Sequence, residues 1–254
     1  MGKKRLILIT NDDGFEARGY RRLINLMRQY GDVIAISSVE SMSAMSHAIT
    51  MKVPLRTRLV RKEDGLVEYV TNGTPVDNVK MGKHLFLDRM PDLVVSGINH
   101  GSNAAINIIY SGTVAAALEA AIDHIPAIGF SVNEYGADIE MTHVDEYVKK
   151  ITEKVIKEGL PEGIALNVNF PKYSAEPIKG IKVVRQAKAT WRETYEERTD
   201  PYGQKYYWMG GVFLDGDGRP DTDEKALAEN YVAVVPVKID FTAHEWIEKM
   251  NFDD

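Results

Sequence analysis

The sequence contains no cysteine, which removes disulfides, thiolate metal sites and thiol nucleophiles from consideration. It also lacks an excess of positive charge. With a formal net charge of −6, a broad basic surface for nucleic acid or anionic lipid is not expected. No apolar run approaches the length of a membrane span. The basic start, Met1 to Arg5, leads into only Leu6 to Ile9 before polar and acidic residues follow, too short for the apolar part of a signal peptide. The histidines are scattered without HxH or HExxH spacing, so a zinc site is not expected. No GxGxxG follows the first predicted strand, which disfavours a dinucleotide-binding oxidoreductase. There are no repeats and no low-complexity tract. These absences lead us to expect a soluble cytoplasmic protein with no DNA and no membrane partner. Its 254 residues, 44% of them hydrophobic, suffice for a sizeable core.

What is present alternates. Residues 5–10 read as a buried strand, and 16–30 as a helix with Tyr20, Leu23, Ile24 and Met27 at helical spacing and Gly31 as its C-terminal cap. Val33 to Ser37 reads as a second strand; Val53 to Arg58 and Val67 to Thr71 alternate like a hairpin. In TNGTPVD, Thr74, Pro75 and Asp77 have the spacing of a capping box, predicting a helix to about Leu87. Asp92 to Ser96 and Pro126 to Val132 read as strands, Thr113 to His124 as an Ala-rich helix and 143–158 as another helix. Such alternation predicts a parallel sheet covered on both faces, with its site at the carboxyl ends of the strands. Further on, strands are expected at 163–169, 180–186, 205–214 and 231–239, and the polar 187–204 with KYYWMGGVF reads as an extended arm or hairpin. The expected class is α/β, a three-layer Rossmann-like domain with a mostly parallel sheet plus a C-terminal β-rich arm. The expected organisation is one domain over 1–254, with an α/β core at 1–185 and, at 186–254, the arm or hairpin followed by a C-terminal strand and helix.

Three loops carry chemistry. Asn11-Asp12-Asp13-Gly14 is built of turn formers, and it also offers two hard carboxylates at the end of the first strand, which suit Mg²⁺, Mn²⁺ or Ca²⁺. In 38–50, SVESMSAMSHAIT, Ser43 or Ser46 offers a hydroxyl and His47 an imidazole, in what otherwise reads as a surface loop. In 96–113, Asn99 offers a neutral oxygen, and Ser111, Gly112 and Thr113 put hydroxyls and backbone N–H groups at a helix start, serving either as an ordinary cap or as a phosphate cradle. A carboxylate-held cation beside a phosphate cradle is what metal-assisted phosphate ester hydrolysis needs. Two other features are set aside. DGDGRPDTD, from Asp215, has Pro220 where a calcium loop needs glycine and Ala226 where it needs glutamate. Trp191 and Tyr195 read as interface packing of the arm, and His47 and His100 as loop histidines.

ITNDDG, VSGIN followed by Gly101 and Asn103, GTPVD at Gly73 to Asp77, Asn167, Asn169 and Pro171, and the long YSGTVAAA from Tyr110 together resemble the SurE family along nearly the whole chain. The resemblance implies a metal-dependent phosphatase of nucleoside monophosphates, 5′ and also 3′ or polyphosphate-directed. It implies one divalent ion held by Asp12, Asp13, Ser43 and Asn99, with Asp12, Asp13 and Asn99 catalytic. Phosphate and substrate contacts would fall on Asn11, Asn99, Asn103, Ser111, Gly112 and Thr113. It further implies a homodimer, or a homotetramer, with the C-terminal arm exchanged. One stretch departs from the family pattern: Ala44 stands where glycine is expected, and Met42 at an arginine-like position. A phosphatase forming an aspartyl-phosphate needs an acid-x-acid spacing that adjacent Asp12 and Asp13 do not provide. A receiver-like signalling module needs an acceptor aspartate after the middle strand and is roughly half this length.

Overall fold

The computed structural model describes residues 4–86, 88–136 and 138–250. The chain runs β1 (Leu6–Thr10), α1 (Arg18–Met27), β2 (Asp32–Ser38), β3 (Thr57–Glu63), β4 (Leu66–Thr71), α2 (Pro75–Met81), β5 (Leu93–His100), α3 (Asn107–Tyr110) and α4 (Gly112–Ile122). It continues through β6 (Ala127–Val132), α5 (Asp145–Glu158), β7 (Ile164–Phe170), β8 (Ile181–Val183), β9 (Thr190–Thr199), β10 (Lys205–Leu214), α6 (Asp223–Ala228), β11 (Val232–Lys238) and α7 (His244–Ile247).

The pleat of β1 shows how the layers arise. Successive side chains leave opposite faces of a strand. Ile7 and Ile9 therefore pack with Tyr20, Leu23 and Met27 of α1 and Val148 and Ile151 of α5, while Leu8 packs with Val79 of α2 and Ala116, Ala117 and Ala120 of α4. The alanines let α4 lie close to the sheet, as their run predicts. The result is a three-layer α/β fold around a sheet of order β3-β4-β2-β1-β5-β6-β7-β11-β8. Its pairings are parallel except at β3–β4 and β7–β11. The hairpin β9–β10 stands apart as a two-stranded sheet with nearly every residue exposed. After it the chain returns, and β11 inserts between β7 and β8. Asp223 ties the root of the hairpin to the body, accepting from the amides of Ala105 at 2.8 Å and Ala187 at 2.9 Å. No helix among the described residues is long and apolar enough to cross a membrane.

Several expected boundaries shift for visible reasons. The first hairpin strand begins at Thr57, not 53, because Pro54 has no N–H for a ladder and the segment instead bonds to the side chain of Asn72. Helix α1 ends at Met27, and Gly31 is no cap. The chain there passes so close to Arg5 that a Cβ would lie 2.4 Å from its carbonyl oxygen. Strand β5 runs on to His100 with a register shift between Ser96 and Asn99, carrying Asn99 on the strand itself. Helix α2 passes into a π-helical turn at Gly82–Phe86, and Leu87, its expected end, lies outside the described residues.

The capping box forms as its spacing requires. Asp77 N donates to Thr74 Oγ1 at 3.1 Å, and Thr74 N donates to Asp77 Oδ2 at 2.9 Å. The second oxygen of Asp77 accepts from Thr50 N at 3.0 Å, so the same carboxylate also fastens the end of the 38–50 loop. Replacing Asp77 with Ala is expected to destabilise the fold by about 1–3 kcal/mol in chemical denaturation. A change within about 0.5 kcal/mol would show that the box and the loop tether do not support the fold.

Candidate active site

β1 lies between β2 and β5: the chain leaves β1 on one side and returns to it on the other. The crevice at the carboxyl ends of such a strand pair is where open α/β sheets bind ligands. A cavity of about 180 Å³ opens there, lined by Asp12, Ser43, Asn99, Asn103 and Ser111, with Tyr110, Asn107 and Tyr135 toward its mouth. An adjoining groove of about 890 Å³ is larger, but its walls are mainly apolar and it holds neither acid of the NDDG turn.

Asp12 is buried and faces the start of α4. Thr113 Oγ1 donates to Asp12 Oδ1 at 2.6 Å, and the Thr113 backbone adds a second favourable contact. Gly112 makes this approach possible, since a Cβ there would sit 3.0 Å from Asp12 Cβ and 3.1 Å from Oδ2. Burial, then repulsion from Asp13, pushes the Asp12 carboxyl up to about 6 despite the Thr113 contacts. Asp13 is partly buried, and its Oδ2 accepts from the His100 amide at 2.9 Å. Burial lifts it too to about 6, with that amide opposing. Two neighbouring carboxylates, each carrying a desolvation cost, form a region of uncompensated negative charge.

The other expected residues divide. Ser43 lies exposed on the cavity wall, its Oγ 2.8 Å from that of Ser41. Its loop is stitched to the acid turn by Met42 N to Asp12 O at 2.7 Å, and to α4 by His47 against Glu119 at 3.1 Å. Ala44 adopts φ +60°, a left-handed conformation that explains the glycine expected there and costs an alanine about 1 kcal/mol. Asn99 donates its Nδ2 to Gly101 O at 2.8 Å, which leaves Oδ1 for a ligand. Asn103 is held by Asn169 Oδ1 on its amide and by Ser131 Oγ on its Nδ2. Ser111 Oγ caps α4 by accepting from Val114 N at 3.0 Å, so its proton remains to donate outward.

Two expected substrate contacts are instead internal. Asn11 is fully buried, its Nδ2 on Gly14 O and its Oδ1 under the Ser37 hydroxyl, so it shapes the acid turn and does not reach the cavity. Thr113 is fully buried and spends its hydroxyl on Asp12. His100 is also committed: Nε2 accepts from Gly19 N at 3.3 Å, and burial lowers its pKa, keeping the ring neutral. Sequence spacing gave no sign of Tyr135, which reaches the cavity from the loop after β6 and belongs to no motif.

The donor set fits a hard divalent cation. It offers carboxylate, amide and hydroxyl oxygens around two acids that repel each other. Among the described residues no group of three or more His, Asp or Glu is arranged for a metal, so the acid pair would rely on the neutral oxygens of Asn99 and Ser43.

Fold and cavity together define an open-sheet α/β protein with an oxygen-lined pocket at its topological switch point. The family model described as Survival protein SurE matches residues 7–193. The 5′-nucleotidase SurE of Christiangramia forsetii is 50% identical over 251 residues, covering 98% of this chain and 96% of that protein. That of Caldanaerobacter subterraneus subsp. tengcongensis is 40% identical over 252 residues, covering 99% and 98%. The crystal structure of the SurE protein from Aquifex aeolicus superposes with a TM-score of 0.83 at 34% identity, covering 96% of this chain and 98% of that one. The chain belongs to the SurE family.

The raised acids make a stability prediction. A carboxyl at about 6 in the fold and near 3.8 when unfolded keeps its proton longer in the native state. Metal-free protein therefore loses stability as pH rises from about 4 through 6, because the unfolded chain holds fewer protons there. Asp12→Asn removes that charge while retaining an oxygen for Thr113. It is expected to raise the melting temperature of the metal-free protein at pH 7.5, by at most about 3 kcal/mol in stability, with the gain vanishing near pH 4. Scanning calorimetry across pH checks this. A destabilised variant at pH 7.5 would contradict it.

Proposed function

We infer that this chain hydrolyses nucleoside monophosphates to nucleoside and phosphate, using one divalent cation, Mg²⁺, Mn²⁺ or Ca²⁺, at Asp12 and Asp13. The observation that carries this reading is the contact of Asp12 with the first turn of α4. It brings the Asp12 carboxylate beside a helix N-terminus, whose partial positive charge suits phosphate. The curated relatives named 5′-nucleotidase SurE support the same chemistry.

Asp12 and Asp13 would hold the cation, with Asn99 Oδ1 and the Ser43 hydroxyl completing the protein ligands. When bound, the cation supplies charge neutralisation to the phosphate oxygens and activation of water. Ser111 donates its hydroxyl proton to the phosphate, and the start of α4 at Gly112 stabilises its charge. Asn103, fixed on both sides by Asn169 and Ser131, orients the substrate from the opposite wall. Thr113 acts through Asp12, and Asn11 through the turn. Water attacks phosphorus, the P–O ester bond breaks, and the sugar oxygen leaves with a proton. Asp12, buried and hydrogen-bonded at Oδ1, is suited to holding the cation and poorly placed to attack.

The whole chain, 1–254, acts as a single cytoplasmic domain in this reading. The core to 185 carries the site and 186–254 the assembly arm. The hairpin argues for assembly as a dimer or tetramer with exchanged arms. Two-stranded ribbons are marginal alone, and this one exposes Tyr195, Tyr207, Trp208 and Met209. Replacing 194–210 by a two-residue turn is expected to yield a monomer in light scattering; an unchanged oligomer would remove the arm from the interface.

The direct test is phosphate release from a nucleotide panel after chelation, then with Mg²⁺, Mn²⁺ or Ca²⁺ restored. Activity is expected to vanish with chelator and return with metal. Asp12→Asn is expected to lower it by more than about a hundredfold with the fold intact. Turnover at the wild-type rate in that variant would refute the site.

A further inference from the structure

The mouth of the cavity differs in chemistry from its floor. The floor carries Asp12, Ser111, Asn99 and Asn103. The mouth carries no lysine or arginine among its lining residues, and its aromatic side chains are Tyr110, 50% exposed, and Tyr135, the more open at 68%. A second phosphate, or a run of them, would find no cation there to receive it. A neutral, flat group would find an aromatic face.

Tyr135 is a fixed feature of the mouth. Its loop follows β6 and is pinned where Asn133 N donates to Phe170 O at 2.8 Å and Glu134 N to Val132 O at 2.8 Å. The ring lies against Gly101, where a Cβ would meet Cε1 at 2.6 Å, Cδ1 at 3.0 Å and Cζ at 3.3 Å, so only glycine admits this placement. The hydroxyl reaches the Ser102 backbone, and the His100 ring contacts the Gly136 backbone, so both sides of the loop are tied to the segment that ends β5. The ring is therefore seated on the chain that carries Asn99 while most of it stays open to solvent. The cavity is open to solvent on the side where Tyr135 lies, so a group joined to a phosphate on the floor can extend past that ring.

We propose that Tyr135 is the base platform of this site, stacking on the nucleobase of a monophosphate whose phosphate occupies the floor. The inference rests on the nucleotidase reading above and adds to it the residue that selects an aromatic remainder over a bare sugar. Stacking of a base on an aromatic side chain is sequence-tolerant, so Tyr135 favours nucleotides as a class and not one base.

The test compares AMP with ribose 5-phosphate, which share the 5′-phosphate ester; AMP carries the base and ribose 5-phosphate lacks it. Steady-state kinetics with saturating Mn²⁺ are measured for the wild type, Tyr135→Ala and Tyr135→Phe. The ratio of kcat/KM for AMP to that for ribose 5-phosphate is expected to fall about tenfold in Tyr135→Ala, through KM, and to be restored in Tyr135→Phe. A merely structural role would lower both substrates together and leave the ratio unchanged, which would overturn the proposal. So would a loss in Tyr135→Phe equal to that in Tyr135→Ala. A wild-type protein that releases phosphate from neither substrate would instead overturn the nucleotidase reading itself.

Discussion

Two carboxylates on consecutive residues, both withdrawn from water, are the constraint around which this structure is arranged. Asp12 and Asp13 repel each other, and burial raises both. Each surrounding feature answers that repulsion in part. Thr113 donates to one acid and the His100 amide to the other, and the start of α4 presents its positive end. Gly112 exists as glycine so that the helix can come this close. The partial compensation leaves a net negative pocket, and a doubly positive ion is the simplest complement.

The same constraint explains why so many residues near the cavity are polar yet never reach it. Asn11, Ser37, Thr113, Asn167 and Asn169 are buried and bond mostly to neighbouring side chains or to backbone, and the last two hold the segment of Asn103, which does line the cavity. They hold the loops at the ends of β1, β5 and β7 in one arrangement, and buried polar groups that are satisfied in this way specify a single geometry. The 38–50 loop is treated likewise. Asp77 and Glu119 each take one of its bonds and Asp12 O takes two, so an exposed Ser43 is still carried on anchored chain. Burial tends to raise Glu119, but His47, Lys80 and Lys83 together bring it well below the usual carboxylate range, which keeps that anchor charged.

Much of this was legible in the sequence. Hydrophobic runs ending in NDDG and SGIN identify strands whose carboxyl ends carry polar chemistry, and the Thr74–Asp77 spacing predicts a cap that forms as written. The Ala-rich helix and the projecting hairpin follow equally from composition. What escaped depends on contacts between distant segments. Asn11 and Thr113 carry the right functional groups, yet Ser37 and Asp12 claim them, and no local spacing encodes that. Gly31 looks like a helix end but answers a close approach by Arg5. Tyr135 sits in a loop with no motif, and only the packing of β6 beside β5 brings it over Gly101. The sequence thus marks where chemistry lies, and tertiary packing decides which of the candidate side chains face the cavity.

A cation held by Asp12 and Asp13 is the central proposal. Its most direct test is anomalous diffraction from crystals grown with manganese, collected above and below the metal absorption edge. A single strong peak within coordination distance of an oxygen from each of the two acids, absent in Asp12→Asn crystals grown the same way, is the predicted result. A well-ordered pocket with no peak, or a peak elsewhere with both carboxylates turned to solvent, would contradict it.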